Sequence, residues 1–207
     1  FTAQKELDNL EKYGSDLQAK FPSAKLVGCS TAGDILDDDV YDEGCSATVV
    51  EFENSSVDIA TVDLAQLSSE DNTSFSSGVH LAKAIKTEGL VGMVVISDGL
   101  QVNGSELVNG VRSVVSDEIP LSGGLAGDGG DFKQTYVYSH GSAKSGQIAL
   151  IGFYGEKLTL GHGSLGGWDE FGPVRKISDS EGNILKSLDG EAALSLYKKY
   201  LGDDESK

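Results

Sequence analysis

The stretch Leu121-Ser122-Gly123-Gly124-Leu125-Ala126-Gly127-Asp128-Gly129-Gly130-Asp131 places five glycines and two aspartates directly after a short apolar run. Glycine reaches backbone conformations closed to other residues and lets a second backbone or a ligand approach closely. A run this dense is therefore a functional loop or a tightly packed turn. A second stretch, Val27-Gly28-Cys29-Ser30-Thr31-Ala32-Gly33-Asp34, echoes it. The two share Ala-Gly-Asp at an offset of 94 residues, each behind a strand-like run.

The echo extends to the flanks. An amphipathic stretch with Leu7, Leu10, Leu17 and Phe21 on one face precedes the first loop. Another, with Leu107, Val108, Val111, Val114 and Val115, precedes the second. After each loop comes a Gly and paired strand patterns, Gly44 to Leu64 and Gly146 to Gly161. This order suggests an internal duplication of helix, strand, Ala-Gly-Asp loop and hairpin. The halves would run over about 1–75 and 76–188, with a C-terminal helix over 189–201. The fold class is α/β, with mixed β-sheet layers covered by helices.

Taken in order, residues 4–21 read as a helix and Lys25 to Cys29 as a short strand. Asp34 to Glu43 carries six acids in ten residues. It reads as a solvated loop, because no calcium-loop spacing with a closing Glu is present. Ser46 to Glu53 and Val57 to Asp63 predict a hairpin. A helix follows over about 76–88, capped by Ser76 or Ser77 and ended by Gly89. Leu90 to Ser97 is almost wholly apolar, which fits a strand buried on both faces. With a helix over 104–116 and a strand over Ile119 to Ser122 it predicts a right-handed parallel crossover. Ser97, Asp98 and the Gly loop would then lie beyond the carboxyl ends of parallel strands, where open α/β sheets bind ligands. Gln147 to Tyr154 reads as a central strand, hairpinned through Gly155-Glu156 to 157–161. Val174 to Ser178 and Ile184 to Leu188 bracket a turn, and Asp189 would cap the last helix. The first half lacks a strand equivalent to Leu90 to Ser97, so residues upstream of Phe1 are expected to supply it.

Charge narrows the partners. A formal charge of −17 argues against nucleic acid and anionic membranes, both of which need basic patches. No apolar run approaches the ~20 residues that cross a bilayer. Two cysteines, Cys29 and Cys45, build no disulfide framework, which fits a reducing cytoplasm. Glycine is nearly twice its average share, with 27 residues against only 3 prolines. That is the mark of an ordered domain with many tight turns.

No catalytic constellation stands out: no phosphate-binding Gly-Lys loop, dinucleotide fingerprint, paired metal histidines or nucleophile elbow. The chain is read as a non-enzyme without a metal site. Cys29 lacks a local base to activate it and reads as a small packed side chain. His80, His140 and His162 share no ligand spacing. The aspartates of the two loops either receive a ligand amine or cap their own turns. The candidate ligand-binding set is Cys29, Ser30, Thr31, Ala32, Gly33 and Asp34, with Ser97, Asp98, Gly123, Gly124 and Asp128, and His162 and Trp168 on the rim. Glycine N–H groups would receive an anionic group.

Gly28-Cys29-Ser30-Thr31-Ala32-Gly33-Asp34-Ile35 resembles the Gly-Cys-(Ser/Thr)-Thr-Ala-Gly-Glu-Ile block of FIST domains, with Asp34 for the commoner Glu. Ser97-Asp98-Gly99-Leu100 and Gly123 to Asp128 resemble its second and third blocks. Gly167-Trp168 to Gly182-Asn183, and Asp189-Gly190-Glu191-Ala192-Ala193 to Tyr197, resemble the later run. The agreement covers about residues 20–202. The resemblance implies an N-terminal FIST sensory domain of a bacterial signal-transduction protein, cytoplasmic, binding a small ligand such as an amino acid. It would signal to a kinase, cyclase or chemotaxis output, and a companion C-terminal part would follow Lys207. A eukaryotic branch in F-box proteins implies the alternative of a protein-docking module, and some bacterial members are haem-binding nitric oxide sensors. Haem is not expected here. Met93 lies in the most apolar strand, Cys29 and Cys45 flank acids that disfavour a thiolate, and propionates would find few cations. His162 is the one credible axial ligand.

Overall fold

The computed structural model describes residues 2–3, 7–42, 44–68, 73–167, 169–170 and 172–201. The chain divides into two compact units, Phe1–Gly163 and Ser164–Lys207. It is an α/β fold of mixed sheets covered by helices, with four helices among the described residues.

The larger unit begins with β1 (Thr2–Ala3), α1 (Leu7–Lys20) and β2 (Val27–Thr31). A hairpin follows, β3 (Asp34–Leu36) and β4 (Asp39–Tyr41), then β5 (Ser56–Asp63) and α2 (Ser74–Ala84). Next come β6 (Leu90–Ser97), α3 (Gly104–Arg112) and β7 (Leu121–Leu125), then β8 (Val137–Ser139), β9 (Ser142–Lys144) and β10 (Gln147–Tyr154). One sheet has the order β5-β10-β6-β7 and a second β1-β2-β8-β9. The expected parallel crossover is present: β6 and β7 run parallel, joined through α3. β1 and β2 are also parallel, joined through α1. Strand, helix, parallel strand and Ala-Gly-Asp loop thus occur in the same order twice.

β10 and β6 are interior strands, apolar on both faces, and alternation assigns each face its partner. Met93, Val95, Ile148 and Leu150 join Leu81, Leu107 and Val111 of α2 and α3 in one core. Ile96 and Ala149 turn the other way, to Cys29 and Val137 of the second sheet. On that sheet's far face Tyr138 comes so close to α1 that a Cβ on Gly14 would lie 2.3 Å from its ring. The layers therefore run helix, sheet, sheet, helix. The α2–α3 crossing is equally tight. Gly78 and Gly110 face each other, and a Cβ on either would stand 2.2 Å from the Leu107 carbonyl oxygen or 2.1 Å from that of Phe75.

Several sequence expectations are corrected. Ser46 to Glu53 forms no hairpin with β5; residues 46–52 carry no regular secondary structure. β5 pairs with β10 instead, whose apolar faces outcompete a short local partner. The hairpin through Gly155-Glu156 is absent too, since residues 158–161 form no strand. α2 is capped by the Thr73 side chain, which accepts the Ser76 N–H at 3.0 Å. It ends at Ala84, before Gly89. The second Gly-rich stretch opens as strand β7 rather than as loop.

In the smaller unit β11 (Ile177–Glu181), β12 (Ile184–Leu188) and β13 (Glu191–Ala192) form a three-stranded sheet, followed by α4 (Ala193–Leu201). Asp189 does not cap α4. Its carboxylate accepts the Lys176 N–H at 2.9 Å and pairs with Arg175, whose guanidinium also donates to the Tyr200 hydroxyl at 2.9 Å.

Candidate functional site

The carboxyl ends of β2, β6 and β7 meet in a hub of backbone contacts. Ala126 extends the β6–β7 ladder by donating to the Ser97 carbonyl at 2.8 Å, and Gly127 donates to the Ser30 carbonyl at 3.0 Å. The Ser30 hydroxyl accepts the Tyr136 N–H at 3.0 Å. Glycine is required here by space: a Cβ on Gly99 would lie 2.0 Å from the Ala126 oxygen, and one on Gly127 2.8 Å from the Ala32 nitrogen. The hub thus brings together residues 29–34, Ser97, Asp98 and Asp128, as expected for chain segments beyond parallel strand ends. Thr135, buried and accepting the Gly99 N–H at 2.9 Å, belongs to it as well. No sequence pattern marked that threonine.

The three aspartates differ in what they hold. Asp98 accepts the N–H groups of Leu100 and Gln101 at 2.8 Å each, that of Gly146 at 2.9 Å, and the Ser145 hydroxyl at 3.2 Å. Asp128 accepts those of Phe132, Lys133 and Gln134 at 3.1, 2.6 and 3.0 Å. Burial works to raise both carboxyls, but the donated N–H groups outweigh it and hold them below the usual range. Asp128 fastens its own loop, and Asp98 ties its loop to the turn before β10. Asp34 is also buried, yet among the described residues its side chain takes one hydrogen bond, from the Thr31 hydroxyl to Oδ1 at 3.2 Å, and its Oδ2 has no hydrogen-bond partner there. Beside it the Cys29 thiol is pushed up to about 11 by burial, with the Asp34 charge adding to the rise. A thiol so placed is a packed side chain, not an activated one.

Gly123 and Gly124 are not in the hub. They lie in β7, at the sheet edge, where a Cβ on Gly123 would stand 2.0 Å from the Val95 oxygen and one on Gly124 would meet nothing within 4 Å. Ser122 shares a hydrogen bond of 3.0 Å with His162 Nδ1. His162 is exposed and its described neighbours Gly161 and Gly163 are exposed as well, so they do not form the apolar cleft a haem requires. Trp168 lies outside the described residues. Among the described residues no group of three His, Cys, Asp or Glu side chains is placed to hold a metal, and no helix is long and apolar enough to cross a membrane.

A groove of about 650 Å³ lies elsewhere, between the C-terminal end of α1, the turn over 21–26 and residues 47–57. Leu17, Phe21, Leu26, Phe52 and Val57 give it apolar walls, and Lys20, Lys25 and Glu51 contribute charge. A smaller recess of about 100 Å³ adjoins it and shares Leu17, Leu26, Ala47 and Thr48. The turn is held in shape by Gln18, whose amide donates to the carbonyls of Phe21, Pro22 and Ala24 at 3.1, 3.2 and 3.0 Å. Lys25 is paired with Asp58. None of the candidate residues named from the sequence lines this groove. Its signals were present, an amphipathic helix face and the strand-like 46–53, but these read as a helix of a duplicated unit and as one arm of a hairpin.

No curated protein and no solved structure matches the chain. The family model of the FIST N domain matches residues 1–191. That span takes in both Ala-Gly-Asp loops, both parallel crossovers and the groove. The chain belongs to the FIST N domain family, sensory domains of signal-transduction proteins.

Proposed function

We propose that this domain binds a small ligand in the groove between α1 and residues 47–57, without catalysing its conversion. It would pass the binding event to a signalling output module such as a kinase or cyclase, in the cytoplasm. The observation that carries the reading is the groove itself. Its ~650 Å³ falls within the usual range for small-molecule sites, and it has the usual make-up of apolar walls with a few charged groups. Lys20 suits a carboxylate and Glu51 an ammonium, with Leu17, Phe52 and Val57 left for an apolar side chain. An apolar amino acid meets all three demands. The Gly loops then act as the joint between the two sheets, and of Asp34, Asp98 and Asp128 it is Asp34 whose Oδ2 has no hydrogen-bond partner among the described residues.

Thermal-shift screening against amino acids and related metabolites tests this. A ligand at 100 times its dissociation constant adds about 2.7 kcal/mol. At roughly 2–4 °C per kcal/mol for a chain of this size, the melting point should rise by about 5–10 °C. If no metabolite in the panel moves the transition, the sensor reading fails and a docking module takes its place.

A further inference from the structure

The β3–β4 hairpin is a two-stranded sheet that pairs with no other strand among the described residues. Two-stranded hairpins are marginal alone in water, and three strands or a packed face are needed for stability. Ile35 and Val40 are register partners and so share one face, where they are 75% and 71% exposed. Leu36 and Tyr41, on the other face, are also largely exposed. Asp37, Asp38, Asp39 and Asp42 surround them, and the sequence holds no lysine or arginine between Lys25 and Lys83. The hairpin is flanked by Gly33 at φ 151° and Gly44 at φ 136°, conformations that set it off from β2 and from the segment that follows.

An apolar face ringed by one sign of charge selects its occupant. A second copy would bring the same acids against these and be repelled, and nucleic acid and anionic membranes are excluded for the same reason. We propose that the β3–β4 hairpin docks a basic, extended segment of a partner protein. That segment adds as a third strand, its apolar side chains beside Ile35 and Val40 and its lysines or arginines among Asp37, Asp38, Asp39 and Asp42. Strand addition supplies main-chain hydrogen bonds, alternate side chains supply specificity, and the hairpin gains the third strand it lacks.

The test titrates the isotope-labelled chain with a short peptide of alternating valine and lysine, followed by amide chemical shifts. Shifts should concentrate at residues 34–42 and the affinity should fall as salt rises. The double variant Ile35→Ser/Val40→Ser should weaken binding by roughly tenfold or more. A valine–glutamate peptide should bind the native chain poorly and the variant Asp37→Lys/Asp38→Lys better, a reversal that does not depend on the serine variant folding well. Shifts spread over other acidic surfaces, equal binding by the serine variant, or no binding would each overturn the proposal.

Discussion

Gly127 donates its N–H to the Ser30 carbonyl at 3.0 Å, and so ties the two Ala-Gly-Asp loops directly to each other. Each loop belongs to a different sheet, so this bond and the Ala32 contact beside it hold the two sheets in register at their carboxyl ends. Gly127→Ala would push a Cβ to 2.8 Å from the Ala32 nitrogen, a backbone atom that cannot swing away. The expected loss is about 1–3 kcal/mol in urea unfolding. Gly124→Ala, with nothing within 4 Å, should stay within about 0.5 kcal/mol. Equal effects of the two substitutions would show that the close approach at Gly127 is not what fixes the joint.

Asp98 and Asp128 give stability an acid limb. Both carboxyls sit below the ordinary value of about 3.9 in the folded chain, so their contribution is complete above that value. It is lost as pH falls through 3.9 and on through the lower folded values. Asp98→Asn removes the charge that the Leu100, Gln101 and Gly146 N–H groups and the Ser145 and Thr135 hydroxyls address, and should cost on the order of 2–3 kcal/mol at pH 7. The difference from the native chain should shrink steadily as unfolding is measured at lower pH. A difference that stayed constant down to pH 3 would contradict the assignment.

Cys29 should resist thiol reagents. With its thiol pushed up to about 11 by burial, it holds almost no thiolate at pH 8. Disulfide-exchange labelling of the native chain should therefore be on the order of a hundredfold slower at Cys29 than at exposed Cys45, and the two rates should converge in denaturant. The raised value also means that the stability from the neutral buried thiol is present below about pH 8.5 and declines as pH climbs toward 11. Mass spectrometry of Cys45→Ser labelled without denaturant reads the Cys29 rate alone.

Ala47 lines both the groove and its adjoining recess, and it is exposed in a segment without regular structure. Ala47→Trp should fill their junction and leave the melting point of the free chain within about 2 °C. The ligand-induced rise should disappear. A ligand that still stabilises Ala47→Trp as it does the native chain binds somewhere else.

The sequence was most legible where long-range pattern and local need agree. Leu90 to Ser97, apolar throughout, declared itself an interior strand and is one, between β10 and β7. Gln147 to Tyr154, apolar on both faces, did the same. Ser97-Asp98 and the Gly-rich stretch were expected at one place beyond parallel strand ends; Ala126 and Gly127 do reach Ser97 and Ser30 there, whereas Gly123 and Gly124 lie in β7 instead. Residues 46–53 misled, since alternation states only that a segment suits a strand and not that a partner edge is available.

What the chain by itself determined is therefore its α/β class, its interior strands, its parallel crossover and the FIST family. The first three follow from residue order and periodicity, and the family from the resemblance of the blocks at Gly28 to Ile35, Ser97 to Leu100 and Gly123 to Asp128. The tertiary structure alone decided the division of labour among the aspartates. Asp98 is satisfied by Gly146, far along the sequence, whereas Asp34 has an oxygen without a donor among the described residues. It alone also placed the groove, whose walls come from a helix end, a turn, a segment without regular structure and the start of β5. Hydrogen-bond satisfaction and concavity depend on which surfaces meet, and no local sequence pattern encodes that.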